Sequence, residues 1–388
     1  MLRILAADIG GTHSRFALFH AGEASVCRDP SSGLLCATGQ DRKSPAPSPK
    51  AAPSLSDDKL KPHPETAPLL ALEQERWLSS QAYPSFSEAL KTLFLPGEDG
   101  APPLLDAHAP PDVVVIAPAG PVQDNICRMP NLPWVISVQD IRDALAVSST
   151  HMINDFAAQA YACLLPQAVD AVGVLSGSPR KGAPVAVMGA GTGFGQALLL
   201  DAPLPDDELR HYPSFGMHGD LSPTARLERF RRVRVLPSEG GHAEVAFVGP
   251  EEFDFARFVA DRIRTPKLVG DTIVSGSGLA HLLAFHTGLD LSPREAAAKA
   301  PEYPQVMAWF ARLYARLCRN YVLHTLALGG LYITGGMALR IPVLSHPAFA
   351  EEFHNCAAQR HLLEQVPVWH VRNPQAGLWG AALYGLLK

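Results

Sequence analysis

Residues 2–19 read LRILAADIGGTHSRFALF. The apolar run Ile4–Ala7 delivers Asp8 to a turn of Gly10, Gly11 and Thr12, and a second apolar run, Phe16–Phe19, leaves it. That pattern predicts a β-hairpin. Two adjacent glycines let backbone N–H groups converge on one anion at close range, and a phosphate suits such a cradle. Asp8 ends a buried strand, where an isolated charge is costly, so it calls for a cation or a hydrogen-bond donor; magnesium carrying a nucleotide phosphate is one such partner. Taken alone, the loop is equally an ordinary Asp/Gly hairpin, because short glycine motifs recur in unrelated chains.

Residues 184–200, PVAVMGAGTGFGQALLL, repeat that architecture: apolar strand, glycine turn with a threonine (Gly189, Gly191, Thr192, Gly193), apolar strand. No G-K-[ST] follows, which excludes a Walker A loop, and a strand rather than a helix comes next, which excludes a dinucleotide fingerprint. Two such hairpins half a chain apart predict two similar lobes, each giving one phosphate-cradling turn to a shared cleft. Between them, DVVVIAP (112–118) is a continuous β-branched run that predicts a strand buried on both faces of a parallel sheet. The loop after it holds Asn131 and Trp134, in the position where open α/β sheets bind ligands. Ser137 caps the next predicted helix.

Residues 151–162, HMINDFAAQAYA, bring a short strand to Asn154 and Asp155, where a helix begins. Asp155 is either a helix cap or a carboxylate placed to accept a proton from a substrate hydroxyl. Glu239 and His242 flank two glycines in SEGGH, so one polar ligand is within reach of both, and a structural histidine in a turn competes with that reading. In GDTIVSGSGLAHLL a strand end leads through Gly276 and Gly278 into a helix. LYITGGMA (331–338) predicts a strand and a Gly-Gly turn that either borders an adenine ring or simply opens a helix. Helical spacing marks 85–94, 251–263, 305–326 and 378–387, and it resumes after the Pro- and Ser-rich stretch 29–68 near Leu69. The basic run RLERFRRVRV, which closes the connection 201–235, reads as a solvated face.

The length of 388 residues, 47% hydrophobic, suits two domains. A net charge of −5 gives no general attraction to nucleic acid or anionic membrane, and no run is long enough to cross a bilayer. A cytoplasmic location is expected. The six cysteines form no C-x-x-C pair, so neither a zinc cluster nor a disulfide framework is expected.

In order, DIGGTHSR, APAGP, NLPW, INDF, GAGTGFG, SEGGH, VSGSGL and ITGGM resemble the bacterial glucokinases of the hexokinase and actin superfamily. The resemblance spans nearly the whole chain outside 29–68 and 201–235. It implies an α/β fold of two duplicated ribonuclease-H-like (actin-like) lobes with a ligand cleft between them, a small lobe of 1–165 with 373–388 and a large lobe of 166–372. It further implies ATP-dependent phosphorylation of glucose at the 6-hydroxyl, with Asp155 as base. Asp8, Gly10, Gly11 and Thr12 would form the first phosphate turn, Gly191, Thr192 and Gly193 the second, and Gly335 and Gly336 the border of the adenosine. Asp8 would hold Mg2+ through water. Asn131, Asn154, Asp155, Glu239 and His242 would hold the hexose hydroxyls, together with Asp271, where relatives carry the longer glutamate. His13 stands where relatives commonly have asparagine. A homodimer is expected only by resemblance. The competing readings are a kinase for N-acetylglucosamine, mannose or fructose, and a sugar sensor that does not catalyse.

Overall fold

Each of the two glycine-turn stretches folds as an antiparallel hairpin at the centre of its own sheet. The computed structural model describes residues 1–21, 26–28, 35–37, 68–97, 100–201 and 223–388. The first sheet comprises β1 (Arg3–Ile9), β2 (His13–Ala21), β3 (Leu70–Ser79), β4 (Val113–Pro118) and β5 (Thr150–Met152). Its spatial order is β5-β4-β1-β2-β3, antiparallel across β1-β2-β3 and parallel across β1-β4-β5. The second sheet comprises β6 (Ala171–Leu175), β7 (Val185–Ala190), β8 (Phe194–Leu200), β9 (Arg234–Ser238), β10 (Gly330–Thr334) and β11 (Val368–Val371). Its order is β6-β11-β10-β7-β8-β9. The hairpin β7-β8 again has one antiparallel strand on one side and two parallel strands on the other, with β6 as an added edge. The topology is duplicated, as the two turns predicted.

The parallel strands β4 and β10 are buried at every position, which is why their sequences are apolar runs rather than alternations. Among the helices that contribute to the core or the site are α1 (Val138–Leu145), α2 (Asp155–Ala162), α3 (Gly249–Ile263), α4 (Gly276–Thr287), α5 (Pro304–Thr325), α6 (Pro347–Phe353) and α7 (Ala376–Leu386). Helices α3 to α6 build the large apolar core of the second lobe around Phe255, Phe310, Tyr314 and Phe349. Within it Arg316 of α5 donates to Glu252 of α3 and Glu352 of α6 at 2.5 and 2.9 Å, and all three are nearly fully buried.

Helices α2 and α7 lie between the sheets and cross in direct contact. At the closest approach the residues are small: Ala158 and Ala162 on α2 and Gly380 on α7. A Cβ on Gly380 would overlap the Ala158 carbonyl oxygen and stand 2.7 Å from Ala162 N, so only glycine permits this approach. One buried cluster therefore runs from Ile4 and Val113 through Ala158 and Ala381 to Val187 and Tyr332.

Three sequence expectations are corrected. Helical spacing near Leu69 gives way to strand β3, which adds to the free edge of β2. Its period of two was hidden because the half-buried positions Gln74 and Arg76 are polar. The strand expected before Gly276 is a one-turn helix, Gly270–Ile273, because the amides of Thr272 and Ile273 turn back to the Val269 carbonyl. The basic run is not simply a solvated face: Arg226 and Arg229 are 5% and 4% exposed, because Leu227 and Phe230 anchor that helix in the core and draw the arginine stems down with them. Most of 29–68, and His211, Phe215 and His218, lie outside the described residues. Cys127, Cys163 and Cys318 are buried, as expected. Among the described residues no helix is long and apolar enough to cross a membrane.

Candidate active site

The first turn follows β1. Its Gly10 N–H closes the hairpin on His13 O at 3.0 Å, and Ser80 ties the loop down by donating through N to Thr12 O at 3.0 Å and through Oγ to Gly10 O at 2.8 Å. The amides of Gly11 and Thr12 donate to no acceptor among the described residues. The second turn is built alike, with Gly191 N–H on Gly193 O at 2.7 Å and the amides of Thr192 and Gly193 left over. Beside it Gly191 and Gly336 border open space, and Gly335, at φ +95°, could not carry a Cβ without pressing within 2.5 Å of Ala190 O. Each lobe thus offers a pair of unspent donors suited to an anion.

Asp8 lies in β1 opposite Arg15, whose guanidinium is 3.6 Å from its Oδ2 and stacks over Trp77 at 4.2 Å. Burial raises the Asp8 pKa and Arg15 partly offsets it. Arg15 was missed in the sequence, although the hairpin register alone sets it across from Asp8. Among the described residues no three His, Cys, Asp or Glu side chains cluster as a metal cage. A single carboxylate fits magnesium, which keeps several waters and takes further oxygens from nucleotide phosphates.

Asn154, not Asp155, is the cap of α2: its Oδ1 accepts from Phe156 N and Ala157 N at 2.9 and 3.2 Å, and its Nδ2 donates to Gly120 O at 3.2 Å. That leaves the Asp155 carboxylate uncommitted by side-chain bonds at the first helical position. Burial, then the nearby charge of Asp8, raises its pKa to about 7 against the pull of the Phe156 amide, and Glu239 adds to the rise. The Cys127 thiol in the wall behind reports the same convergence: burial, Asp155 and Glu239 push it up to about 11.

Glu239 and His242 face each other across their turn at 3.8 Å, both more than half exposed. Asn131 lies against the first glycine turn, where a Cβ on Gly11 would stand 3.2 Å from its own Cβ. Asp271 is drawn to the second turn instead of projecting freely: its Oδ1 accepts the Phe194 N–H, and its carboxylate fills the side of Gly193. The same oxygen lies 3.7 Å from the Cβ position of Gly241, so Asp271 links the second turn to the segment bearing Glu239 and His242. A second residue missed in the sequence is Gln159, one turn beyond Asp155, which bonds Thr334 across the lobes. Its spacing from Asp155 was the available signal.

A duplicated α/β topology with one glycine turn from each copy is the two-lobe, actin-like architecture of the sugar kinases. The chain matches the family model Glucokinase over residues 64–231 and 227–387, and it belongs to the glucokinase family. A glucokinase of Nostoc punctiforme is 28% identical over 318 residues, 72% of this chain and 84% of that protein. Among solved structures, a glucokinase from an Antarctic psychrotroph superimposes with a TM-score of 0.64 at 24% identity over 99% of both chains. A glucokinase from Streptomyces griseus, solved in complex with glucose and AMPPNP, does so with a TM-score of 0.52 at 14% identity over 99% of both chains.

Proposed function

We propose that the chain transfers the γ-phosphoryl group of ATP to the 6-hydroxyl of glucose, with Asp155 as the general base. The observation that supports this reading is the buried Asp155 carboxylate near Asp8, spared from capping α2 because Asn154 takes that role. Phosphoryl transfer asks mainly for positioning and charge stabilisation. Asp155 accepts the hydroxyl proton, while the amides of Gly11, Thr12, Thr192 and Gly193 face the charge of the migrating group. Magnesium supplies charge neutralisation on the phosphates, and Asp8 would hold it through water. Gly335 and Gly336 border the adenosine.

For the sugar, the reading uses Glu239, His242, Asn131, the second N–H of Asn154 and the Oδ2 of Asp271. A sugar lacking one hydroxyl leaves such groups unpaired and is rejected. The accompanying division assigns 1–165 with 373–388 to the small lobe and 166–372 to the large one. The ranges of the two sheets, 3–152 and 171–371, support it. A cytoplasmic place and a homodimer belong to the same proposal.

The deciding measurement is ADP release with magnesium and ATP across glucose, mannose, fructose, N-acetylglucosamine and no sugar. Release that depends on glucose is expected, and release indifferent to every sugar overturns the reading. The pH profile follows from the raised carboxyl. Because the base must be ionised, kcat/KM is expected to rise with pH on a limb centred near 7. On its acid side it falls about tenfold per pH unit. A limb centred near 4 would contradict the burial of Asp155.

A further inference from the structure

Gln159 lies one helical turn beyond Asp155 on α2, so the two side chains share a face of that helix. Its Oε1 accepts from Thr334 Oγ1 at 3.1 Å, across 175 positions of sequence. Thr334 ends β10, is 4% exposed, and passes the chain directly to Gly335 and Gly336. On its other side the Gln159 amide reaches α7: a Cβ on Gly377 would stand 3.0 Å from Gln159 Nε2 and 3.1 Å from Asp8 Oδ2. One amide therefore meets the helix that carries Asp155, the surroundings of Asp8 and the strand end that leads into the Gly335–Gly336 turn.

The chemistry of the group suits that place. An amide is neutral, so it adds no charge beside Asp8 and Asp155, and it has both a donor and an acceptor to offer. The bond to Thr334 is partly buried, so an apolar replacement of one partner leaves the other without its hydrogen bond.

We propose that Gln159 is a positioning residue for phosphoryl transfer: through Thr334 it sets the helix of Asp155 against the turn at Gly335 and Gly336. The base and the phosphoryl donor thereby keep their mutual orientation when both substrates are bound. The inference rests on the function proposed above. Because the proposed sugar contacts lie mainly on other loops, losing the link acts on kcat and spares KM for the sugar.

The test is a double-mutant cycle on the full chain, read by steady-state kinetics and by melting temperature. Gln159→Leu and Thr334→Val are each expected to lower kcat about five- to tenfold, with KM for the sugar within about twofold, and the double variant to be no worse than the weaker single. Thr334→Ser keeps the hydroxyl and is expected to restore most of the turnover lost in Thr334→Val. Losses that multiply in the double variant, an unchanged kcat in either single, or a kcat that merely follows the folded fraction each overturn the proposal. Asp155→Asn, assayed in parallel, separates the two levels. If it retains turnover, the base assignment fails, whereas neutral Gln159 variants beside an inactive Asp155→Asn dispose of the positioning role alone.

Discussion

Asp155→Asn is expected to lower kcat by about two to four orders of magnitude, the usual worth of a positioned general base, while ATP affinity stays close to that of the parent. The substitution keeps the size of the side chain and leaves the cap of α2 in place, because Asn154 does the capping. Only the proton acceptor is removed. The same variant has a second expected property. Burial raises the folded-state pKa of Asp155 from 3.8 to about 7, so the folded protein binds that proton more tightly than the unfolded chain does. The stability this contributes is fully present at low pH and is lost as pH rises through the folded value. The neutral amide escapes that loss. Its melting temperature should exceed that of the parent at pH 8, with the gap closing towards pH 4. Turnover near that of the parent, measured as ADP release, would overturn the assignment.

Arg316→Ala should destabilise the chain by about 3 kcal/mol, because it removes the cation shared by two buried carboxylates and leaves Glu252 with Arg312 and Glu352 with Arg319 as their remaining ion partners. Arg316 donates to Glu252 at 2.5 and 3.0 Å, to Glu352 at 2.9 Å and to Ala246 O at 2.9 Å, at the junction of α5 with α3 and α6. Burial alone would raise the Glu252 pKa, but the hydrogen bonds from Arg316 and Val248, with the charges of Arg316 and Arg312, bring it below its ordinary 4.5. That contribution is present above pH 4.5 and is lost as pH falls through the depressed value. Without Arg316 only the Val248 amide and the charge of Arg312 oppose burial, so the depression weakens and the deficit of the variant should be larger near pH 8 than near pH 5. Urea unfolding at the two pH values reads both effects. A deficit below about 1 kcal/mol at pH 8 would mean that the network relaxes freely, against the usual cost of breaking a buried pair.

The turns at Gly10–Thr12 and Gly191–Gly193 were legible because glycine and threonine between two apolar runs carry positional meaning on their own. Their repetition gave the duplication. Asp155 was legible as a carboxylate at a helix start, but its freedom was not, because that depends on which of two adjacent polar residues takes the cap. Strand β3 was misread because its inward positions are polar, and Arg226 and Arg229 because an arginine stem buries as readily as it solvates. Asp271 was assigned to the sugar through the resemblance. Its bond to the Phe194 amide depends on how closely Gly193 lets the Gly270–Ile273 segment approach, a tertiary fact. The Gln159–Thr334 bond depends on the assembly of both lobes, and no local pattern announces it.

The crossing of α2 and α7 lies at the centre of an internal pseudo-symmetry. Each helix follows the second parallel strand of its sheet, β5 for α2 and β11 for α7, so the two are counterparts in the duplication. Matching the copies element by element sets Ala376, the first residue of α7, against Asp155, the first of α2. Matching the hairpins from their strand ends likewise sets Gly189 against Asp8. Both acidic groups belong to one copy, and the other is bare at the equivalent places. A faithfully symmetric molecule would add two more carboxylates at these places, in a setting where burial and then the charge of Asp8 already push Asp155 towards its neutral form. The asymmetry confines the acidic groups at the strand end and the helix start to one copy, while the second copy brings its own carboxylates, Glu239 and Asp271, from other segments.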